Sequence, residues 1–410
     1  MNLKTKFPLH YQILIALILG FIFGYFLPSW TEYTNWAGVV FLRILNMIVI
    51  PIILCSIILG VSSLSKGESM GKLTLKTMLF YMITTTLAIL TGFFLVTFFE
   101  PGKGVPLNLG ENTASLNLSS DKIGDILINI VPKNVFEALA QGQLLPIIFF
   151  AFIFGYFMTK VKDDHTQILR KFFDAFLEVI LKITVFVIKL APIGVFSLAS
   201  KEIARQVLLG NNVNELLMRL GLYVAIVVAG ILFHGLVTMS AVLYYIGKVN
   251  PFKHLRNMAT PLITAFSTSS TNATLPITMK AVEENDGVSQ KIVGFTIPLG
   301  ATINMNGTAL YECVAVFFIA QVYGIELNLG QQILVIFTSL LASIGAAGIP
   351  MAGIVMMAII LKAVGLPLEG IGLILPVDRF LDMFRTALNT YGDTCAAVIV
   401  ARTEGENLKI

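Results

Sequence analysis

Charge is what this chain of 410 residues has least of: Asp, Glu, Lys and Arg make up 13% of it, against 56% hydrophobic residues. A soluble globular protein carries about 25% charged residues. The deficit overrides the two or three soluble domains that length alone would suggest. Cysteine is also scarce. Cys55, Cys313 and Cys395 lie in apolar segments with no CxxC and no metal-ligand spacing, so they read as small core hydrophobes. The net charge of +4 is spread over loops and gives no nucleic-acid footprint. No His-Glu-x-x-His occurs, and no Gly-x-Ser-x-Gly or paired aspartates lie in loops suited to an intramembrane enzyme, which argues against that class. Short strands of alternating hydrophobicity are missing too, which excludes an outer-membrane barrel.

What the chain does have is long apolar runs. Tyr11–Leu27 and Met78–Phe99 contain no charge and are long enough to cross a hydrocarbon core of about 30 Å. The first is not read as a signal peptide, because "LPSW" rather than a small-x-small cleavage site follows it. Six apolar segments, near 8–28, 36–65, 73–99, 129–159, 170–200 and 216–247, are each expected to cross once. Basic residues then gather on one side: Lys4 and Lys6; Lys66, Lys72 and Lys76; Lys160, Lys162, Arg170 and Lys171; Lys248, Lys253 and Arg256. The positive-inside rule makes that side the cytoplasm and leaves the Asn-, Ser- and Gly-rich loop 101–126 outside. Lys201, Arg205 and Arg219 run against this pattern.

The last third changes character. "PLITAFSTSSTNATLPITMK" (261–280) has a hydroxyl-rich centre between Pro261 and Pro276, and "SLLASIGAAGIPMAGIVMMAIILK" (339–362) a glycine-rich centre with Pro350. Each reads as a re-entrant hairpin of two half-length helices, a backbone tolerated at membrane depth only inside protein or beside a water-filled cavity. Longer segments, 290–320 and 368–402, follow them. The repeat hairpin–helix, hairpin–helix points to an inverted repeat and a transporter's midplane site. Within 290–320, "GATINMNGTALYE" sets Asn304, Asn306, Gly307 and Thr308 in an apolar run, where a break would free carbonyls for a hard cation such as Na+.

"DRFLDMFRTALNTYGD" (378–393) concentrates charge where it is costly. Asp378, Asp382, Arg385, Asn389 and Asp393 fall on one helical stripe bordered by Thr386. One reading is a self-neutralising ladder, which suits Asp378 and Arg379. Asp393 has no basic residue within a turn and reads as a cation ligand. Arg385 offers a fork for a carboxylate and Asp382 an acceptor for an ammonium, while hairpin-tip N–H groups can take a second carboxylate. Together they fit an acidic amino acid. Plain alternatives stand beside these: the 267–271 hydroxyls bonding back to helix carbonyls, Asn304 and Asn306 bonding between helices. Glu312 is either a buried neutral acid or a proton site. Arg43, Lys182 and Lys189 are read as interfacial. A channel lined by the same stripe is the competing class.

The motifs "STSSTNATLP", "NMNGTALYE", "AAGIPMAG" and "LDMFRTALNTYGD" occur in the order of the glutamate transporter family, the excitatory amino acid transporters and the prokaryotic dicarboxylate/amino acid:cation symporters. The chain resembles a prokaryotic-type member over almost its whole length. The resemblance implies an all-α polytopic membrane protein with eight transmembrane helices, two re-entrant hairpins and inverted repeats. It implies scaffold helices 1–2 over 1–72 and 4–5 over 129–200. Transport-domain helix 3 with the outer loop would fill 73–128, helix 6 would fill 201–250, and the core of hairpin 1, helix 7, hairpin 2 and helix 8 would fill 251–410. It further implies a homotrimer in the cell inner (plasma) membrane, both termini cytoplasmic, moving its transport domain as an elevator.

By motif position, Arg385 would hold the substrate side-chain carboxylate and Asp382 its amino group. Thr308, Thr386 and Asn389, with backbone of Ser270, Thr271, Ile349 and Gly353, would complete the site. One Na+ would take Gly300, Asn304 and Asn389 backbone oxygens and the Asp393 carboxylate; a second, backbone of Thr302, Met305, Ser343, Ile344 and Ala346; a third, Tyr81, Thr84, Thr85, Asn304 and residue 306. The departures concern coupling. Residue 306, normally aspartate, is Asn306, which should weaken or abolish the third site. The second arginine of many members is absent, with Ser269 and Met383 in its two usual places. Met351 replaces a hairpin glycine. Glu312 matches a glutamate linked to proton coupling in animal members. The expected function is uptake of L-glutamate or L-aspartate with Na+, and H+ through Glu312, and no organic cofactor. Proton-coupled dicarboxylate or neutral amino acid transport within the family is the alternative.

Overall fold

The computed structural model describes residues 9–62, 68–104, 128, 131–141, 144–208, 213–345 and 352–410, and among these every regular element is helical. The first group comprises α1 (Leu9–Phe26), α2 (Thr31–Ser62), α4 (Val135–Gln141), α5 (Leu144–Met158), α6 (Asp163–Lys189) and α7 (Ala191–Leu208). Here α7 packs against α1 and α2, and α2 packs against α5 and α6. Pro28 opens a short 3-10 turn after α1, and the chain bends by 115° there. The segment expected over 170–200 as one crossing is divided at Leu190 into α6 and α7, and the boundary expected at 201 falls inside α7.

The second group is α3 (Glu68–Phe99), α8 (Val213–Phe233), α9 (Met239–Tyr245), α10 (Pro251–Asn257), α11 (Ala259–Thr268), α12 (Thr271–Ala281), α13 (Gln290–Ile303), α14 (Asn306–Val322), α15 (Leu329–Gly345), α16 (Ala352–Ala363) and α17 (Ile371–Thr403). A π-helical turn, His234–Thr238, joins α8 to α9, and another, Val282–Asp286, follows α12. Local chemistry fixes several starts. Asn250 caps α10 by accepting from Phe252 N and Lys253 N, with Pro251 pre-set for the first turn. Ser270 caps α12 by accepting from Ala273 N.

Helix α14 is the centre of this group. It packs against α3, α8, α15, α16 and α17, and all its residues but Gln321 are buried. A span apolar enough for a membrane is thus shielded by protein, which is what makes the polar break ahead of it tolerable. Outward positions elsewhere carry large apolar side chains such as Ile18, Leu19, Phe94, Phe98, Phe157 and Phe186. Surfaces of this kind face lipid rather than water. Among the described residues three helices are long and apolar enough to cross a membrane, Leu73–Phe99, Leu217–Tyr245 and Gln290–Val322; the bent pair Ile15–Phe26 and Pro28–Phe41 makes a fourth when taken as one span.

Each of the two segments expected as hairpins contains two helices that pack together. α11 packs on α12 and α15 on α16. The first tip turns at Ser269, which is left-handed at φ +49°. The second tip, 346–351, lies outside the described residues. The cysteines are free and buried. Arg43, Lys182 and Lys189 are exposed, Lys182 pairing with Glu178 at 2.7 Å.

Candidate functional site

The charged stripe forms as its spacing requires. Asp378, Asp382, Arg385, Thr386, Asn389 and Asp393 are all buried on α17, and Arg385 is only 1% exposed. Arg385 Nη2 donates to Asp382 Oδ1 at 2.8 Å, and Nη1 lies 3.0 Å from Asp378 Oδ1. Arg379 Nη1 reaches Asp382 Oδ2 at 3.4 Å. The four groups sum to zero formal charge, so the ladder reading holds here, and it takes in Arg385 as well as Asp378 and Arg379. Neutrality lets a guanidinium sit this deep, because an unpaired buried charge is strongly destabilising. The guanidinium also lies over the Tyr311 ring, 3.9 Å from its centroid.

Tyr311 was not singled out from sequence. Its sequence signal is weak: Tyr311 stands three residues from Thr308 on one face of α14, as any core aromatic of an apolar run could. Gly353, on α16, has a backbone requirement in the same place. A Cβ there would sit 2.8 Å from Arg385 Nη1. Gly307 meets α17 even more closely, its Cβ position lying 2.7 Å from the Arg385 carbonyl oxygen. Helix α11 packs on α17, where the rings of Phe266 and Phe384 meet edge to face at 5.0 Å. Ser270 caps α12 and Thr271, its first residue, is buried. Ser267 and Thr268 bond back to the Ile263 and Thr264 carbonyls, as the plain reading of the hydroxyl run has it. Ile349 lies outside the described residues.

One turn further along α17 is a second constellation. The break between α13 and α14 falls at Asn304 and Met305, both with non-helical backbone. Asn389 pins it: Oδ1 accepts from Gly307 N at 2.7 Å, and Nδ2 donates to Thr308 Oγ1 at 3.2 Å. Asp393 Oδ1 accepts from Asn304 Nδ2 at 2.9 Å, and no cation side chain pairs with this carboxylate among the described residues. Gly300 lies against Asp393 and Tyr81, so close that a Cβ would be 2.6 Å from Tyr81 Oη. The Tyr81 hydroxyl donates to the Thr296 carbonyl at 2.8 Å. Thr85 donates to Asn306 Oδ1 at 2.6 Å, whereas Thr84 bonds back to the Phe80 carbonyl. The structure thus brings Tyr81, Thr85, Gly300, Asn304, Asn306, Asn389 and Asp393 together. Asn304 Oδ1 and Asn306 Nδ2 have no hydrogen-bond partner among the described residues. The former suits a cation; the latter, a donor, does not.

The remaining set is only partly assembled. Thr302 is exposed and its hydroxyl bonds to the Leu299 carbonyl. Ser343 is buried and bonds to the Leu340 carbonyl. Met305 lies beside Asn389, Ile344 is in α15, and α15 packs on α13. Ala346 lies outside the described residues. Glu312 is fully buried on α14 and neither carboxyl oxygen has a hydrogen-bond partner among the described residues. No group of three His, Cys, Asp or Glu suited to a tightly held metal occurs among them.

Residues 9–403 match the sodium:dicarboxylate symporter family. The proton/sodium-glutamate symport protein of Geobacillus stearothermophilus is 36% identical over 98% of this chain and 96% of its own. The proton/glutamate-aspartate symporter of Escherichia coli (strain K12) is 33% identical over 98% of this chain and 94% of its own. Excitatory amino acid transporter 3 of Mus musculus is 33% identical over 96% of this chain and 85% of its own. With a family match spanning nearly every residue and two bacterial relatives aligned end to end, this chain belongs to the sodium:dicarboxylate symporter family.

Proposed function

We propose that the protein is a secondary-active symporter taking up acidic amino acids, L-glutamate or L-aspartate, with Na+ and with H+ as a further coupling ion. It is a transporter and not an enzyme. The observation that carries this reading is the buried Asp382–Arg385 pair between a hairpin arm and a broken helix. In the proposed mode the substrate's side-chain carboxylate takes the Arg385 fork and its ammonium takes Asp382. Thr308, Thr386 and Asn389 line the site, and backbone of Ser270, Thr271, Ile349 and Gly353 closes it. The names of the bacterial relatives, symporters of glutamate or of glutamate and aspartate, support the substrate class.

Sodium would bind first at Asp393, with Gly300, Asn304 and Asn389. A second ion would use Thr302, Met305, Ser343, Ile344 and Ala346. The third set, Tyr81, Thr84, Thr85, Asn304 and Asn306, would be weak, because Asn306 presents an amide donor where Na+ needs oxygen. Glu312 is the proposed proton carrier. The wider architecture follows the same reading: eight spans with two hairpins in inverted repeats, a scaffold over 1–72 and 129–200, and a transport domain over 73–128 and 201–410. That domain would move as an elevator within a homotrimer of the inner membrane, both termini cytoplasmic.

The test is uptake of labelled L-aspartate and L-glutamate into proteoliposomes under a sodium gradient, a proton gradient, both or neither. Uptake requiring sodium, and enhanced by an inward proton gradient, is expected. Proton-driven uptake without sodium would overturn the sodium assignment, and no acidic amino acid uptake under any gradient would refute the substrate reading.

A further inference from the structure

A buried polar cluster lies outside the site just described. His254 of α10 is fully buried, with Nδ1 2.7 Å from Asp286 Oδ2 and Nε2 3.0 Å from Thr394 Oγ1. Asp286 is fully buried as well, and its other oxygen accepts from Asn257 Nδ2 at 2.8 Å. The backbone carbonyl of Asp286 accepts from Lys409 N. Thr394 is the residue after Asp393 on α17. Four parts of the fold meet here: α10 at the base of the first hairpin, the turn after α12, the C-terminal tail and α17.

The hydrogen count at Thr394 is the decisive feature. Its hydroxyl has one proton and two acceptors in reach, the Tyr391 carbonyl at 2.8 Å and His254 Nε2 at 3.0 Å. If the proton goes to the Tyr391 carbonyl, Oγ1 can only accept, and Nε2 must carry a hydrogen. Nδ1 facing Asp286 then requires one more proton shared between ring and carboxyl, making the pair neutral overall. If Nε2 is bare, the hydroxyl must turn to it and release the Tyr391 carbonyl, and the pair carries one negative charge. The two states differ by a single proton, taken from or released to water, with no other bond made or broken.

We propose that His254 and Asp286 form a proton site that acts on the sodium ligand Asp393 through the hydroxyl of Thr394. The proposal rests on the reading of Asp393 as a cation ligand. Histidine is the side chain whose charge changes most readily near neutral pH. Other groups facing the pair are Tyr391, whose ring lies 5.5 Å from that of His254, and Cys395, with Sγ 3.8 Å from Nε2. Neither brings a positive charge. On the remaining sides Lys409 directs its ammonium to the Glu284 carbonyl, Lys253 directs its own to the Lys409 carbonyl, and Lys253, Arg256, Glu283 and Glu284 are exposed. The deprotonated pair therefore places a net negative charge beside the helix turn that holds Asp393, and favours Na+. Sodium affinity should rise with pH.

The experiment is sodium binding to the purified full-length protein in lipid nanodiscs, without amino acid, between pH 6 and pH 8. One linked proton tightens sodium by at most about tenfold per pH unit. His254→Gln should flatten the dependence, whereas Glu312→Gln should leave the part owed to His254 in place. A His254→Gln protein that keeps the wild-type pH dependence overturns the proposal. Should that variant not fold, nitrogen NMR of wild-type protein labelled at histidine reads the same site: at a fixed pH, adding sodium should lower the fraction of His254 Nε2 that carries a hydrogen. An unchanging Nε2 overturns the proposal. Sodium binding that is independent of pH sinks this inference alone; no sodium binding at any pH sinks the Asp393 reading with it. Neither depends on which amino acid is carried.

Discussion

Replacing Asn306 by aspartate tests the weakest part of the proposed coupling. The side chain is fully buried, its Oδ1 is engaged by Thr85, and its Nδ2 is without a partner among the described residues. That nitrogen and Asn304 Nδ2 each lie 2.9 Å from the Cβ position of Gly392, so the two amides share one small space. Asn306→Asp keeps the bond from Thr85 and exchanges an orphaned donor for an anionic oxygen. A unit charge about 4 Å from Na+ gains about 4 kcal/mol at an effective dielectric of 20. Desolvation of the new carboxylate and repulsion from Asp393 offset about one third to two thirds of this, leaving about 1.4–2.8 kcal/mol, or about 10- to 100-fold in sodium affinity. The assay is the sodium half-saturation of aspartate uptake in proteoliposomes, which should fall by that factor, alongside the unfolding midpoint with and without sodium. The midpoint should drop without sodium, where two carboxylates repel, and recover when sodium is added. A folded variant whose half-saturation is unchanged or higher would refute the assignment of Asn306 to a cation site.

Arg385→Lys keeps the charge that neutralises Asp378 and Asp382 but loses the fork and the packing on Tyr311, so the half-saturation for aspartate should rise about 10- to 100-fold while the protein stays folded; unchanged aspartate kinetics would remove Arg385 from the binding role. Gly300→Ala puts a methyl 2.6 Å from Tyr81 Oη and into the Asp393 carboxylate, so sodium-dependent uptake should be lost while circular dichroism retains the helical signal. Wild-type sodium dependence in that variant would show that Asp393 is free to move away without consequence.

The sequence made the polar elements legible because polarity at membrane depth is expensive and therefore conspicuous. The stripe from Asp378 to Asp393, the hydroxyl-rich hairpin and the break near Asn304 each stand out against an apolar background, and each lies where its spacing put it. The division of 170–200 at Leu190 is flanked by Lys189 and Pro192 but was not legible as a break, because a proline is tolerated inside a membrane-spanning helix as well as at the start of a new one. Tyr311 was hidden because an aromatic in an apolar run is ordinarily core, and only the position of Arg385 gives the ring an electrostatic task. The pairing of His254 with Asp286 was hidden for another reason. The residues are 32 positions apart and meet Thr394 140 positions away from His254, a closure that no local pattern encodes.

The buried ladder also bears on why an acidic amino acid fits better than a plain dicarboxylate in the proposed binding mode. Arg385 already has partners, at 3.0 Å and 2.8 Å, so a substrate carboxylate must compete with Asp378 and Asp382 for it. A ligand carrying only carboxylates would draw Arg385 away from Asp382 and leave Arg379, at the longer distance of 3.4 Å, as the arginine beside that carboxylate. Breaking a buried ion pair costs about 3–5 kcal/mol. A ligand with an ammonium beside its carboxylates replaces what it removes: Arg385 turns to the substrate, and Asp382 receives the ammonium in exchange. The Arg385–Asp382 pair is traded for two pairs with the substrate, and the one net negative charge that its second carboxylate brings is offset by the co-transported cation. Charge concentrated at this depth is therefore stable in both states, because substrate-free protein and loaded protein pair the same groups by different partners.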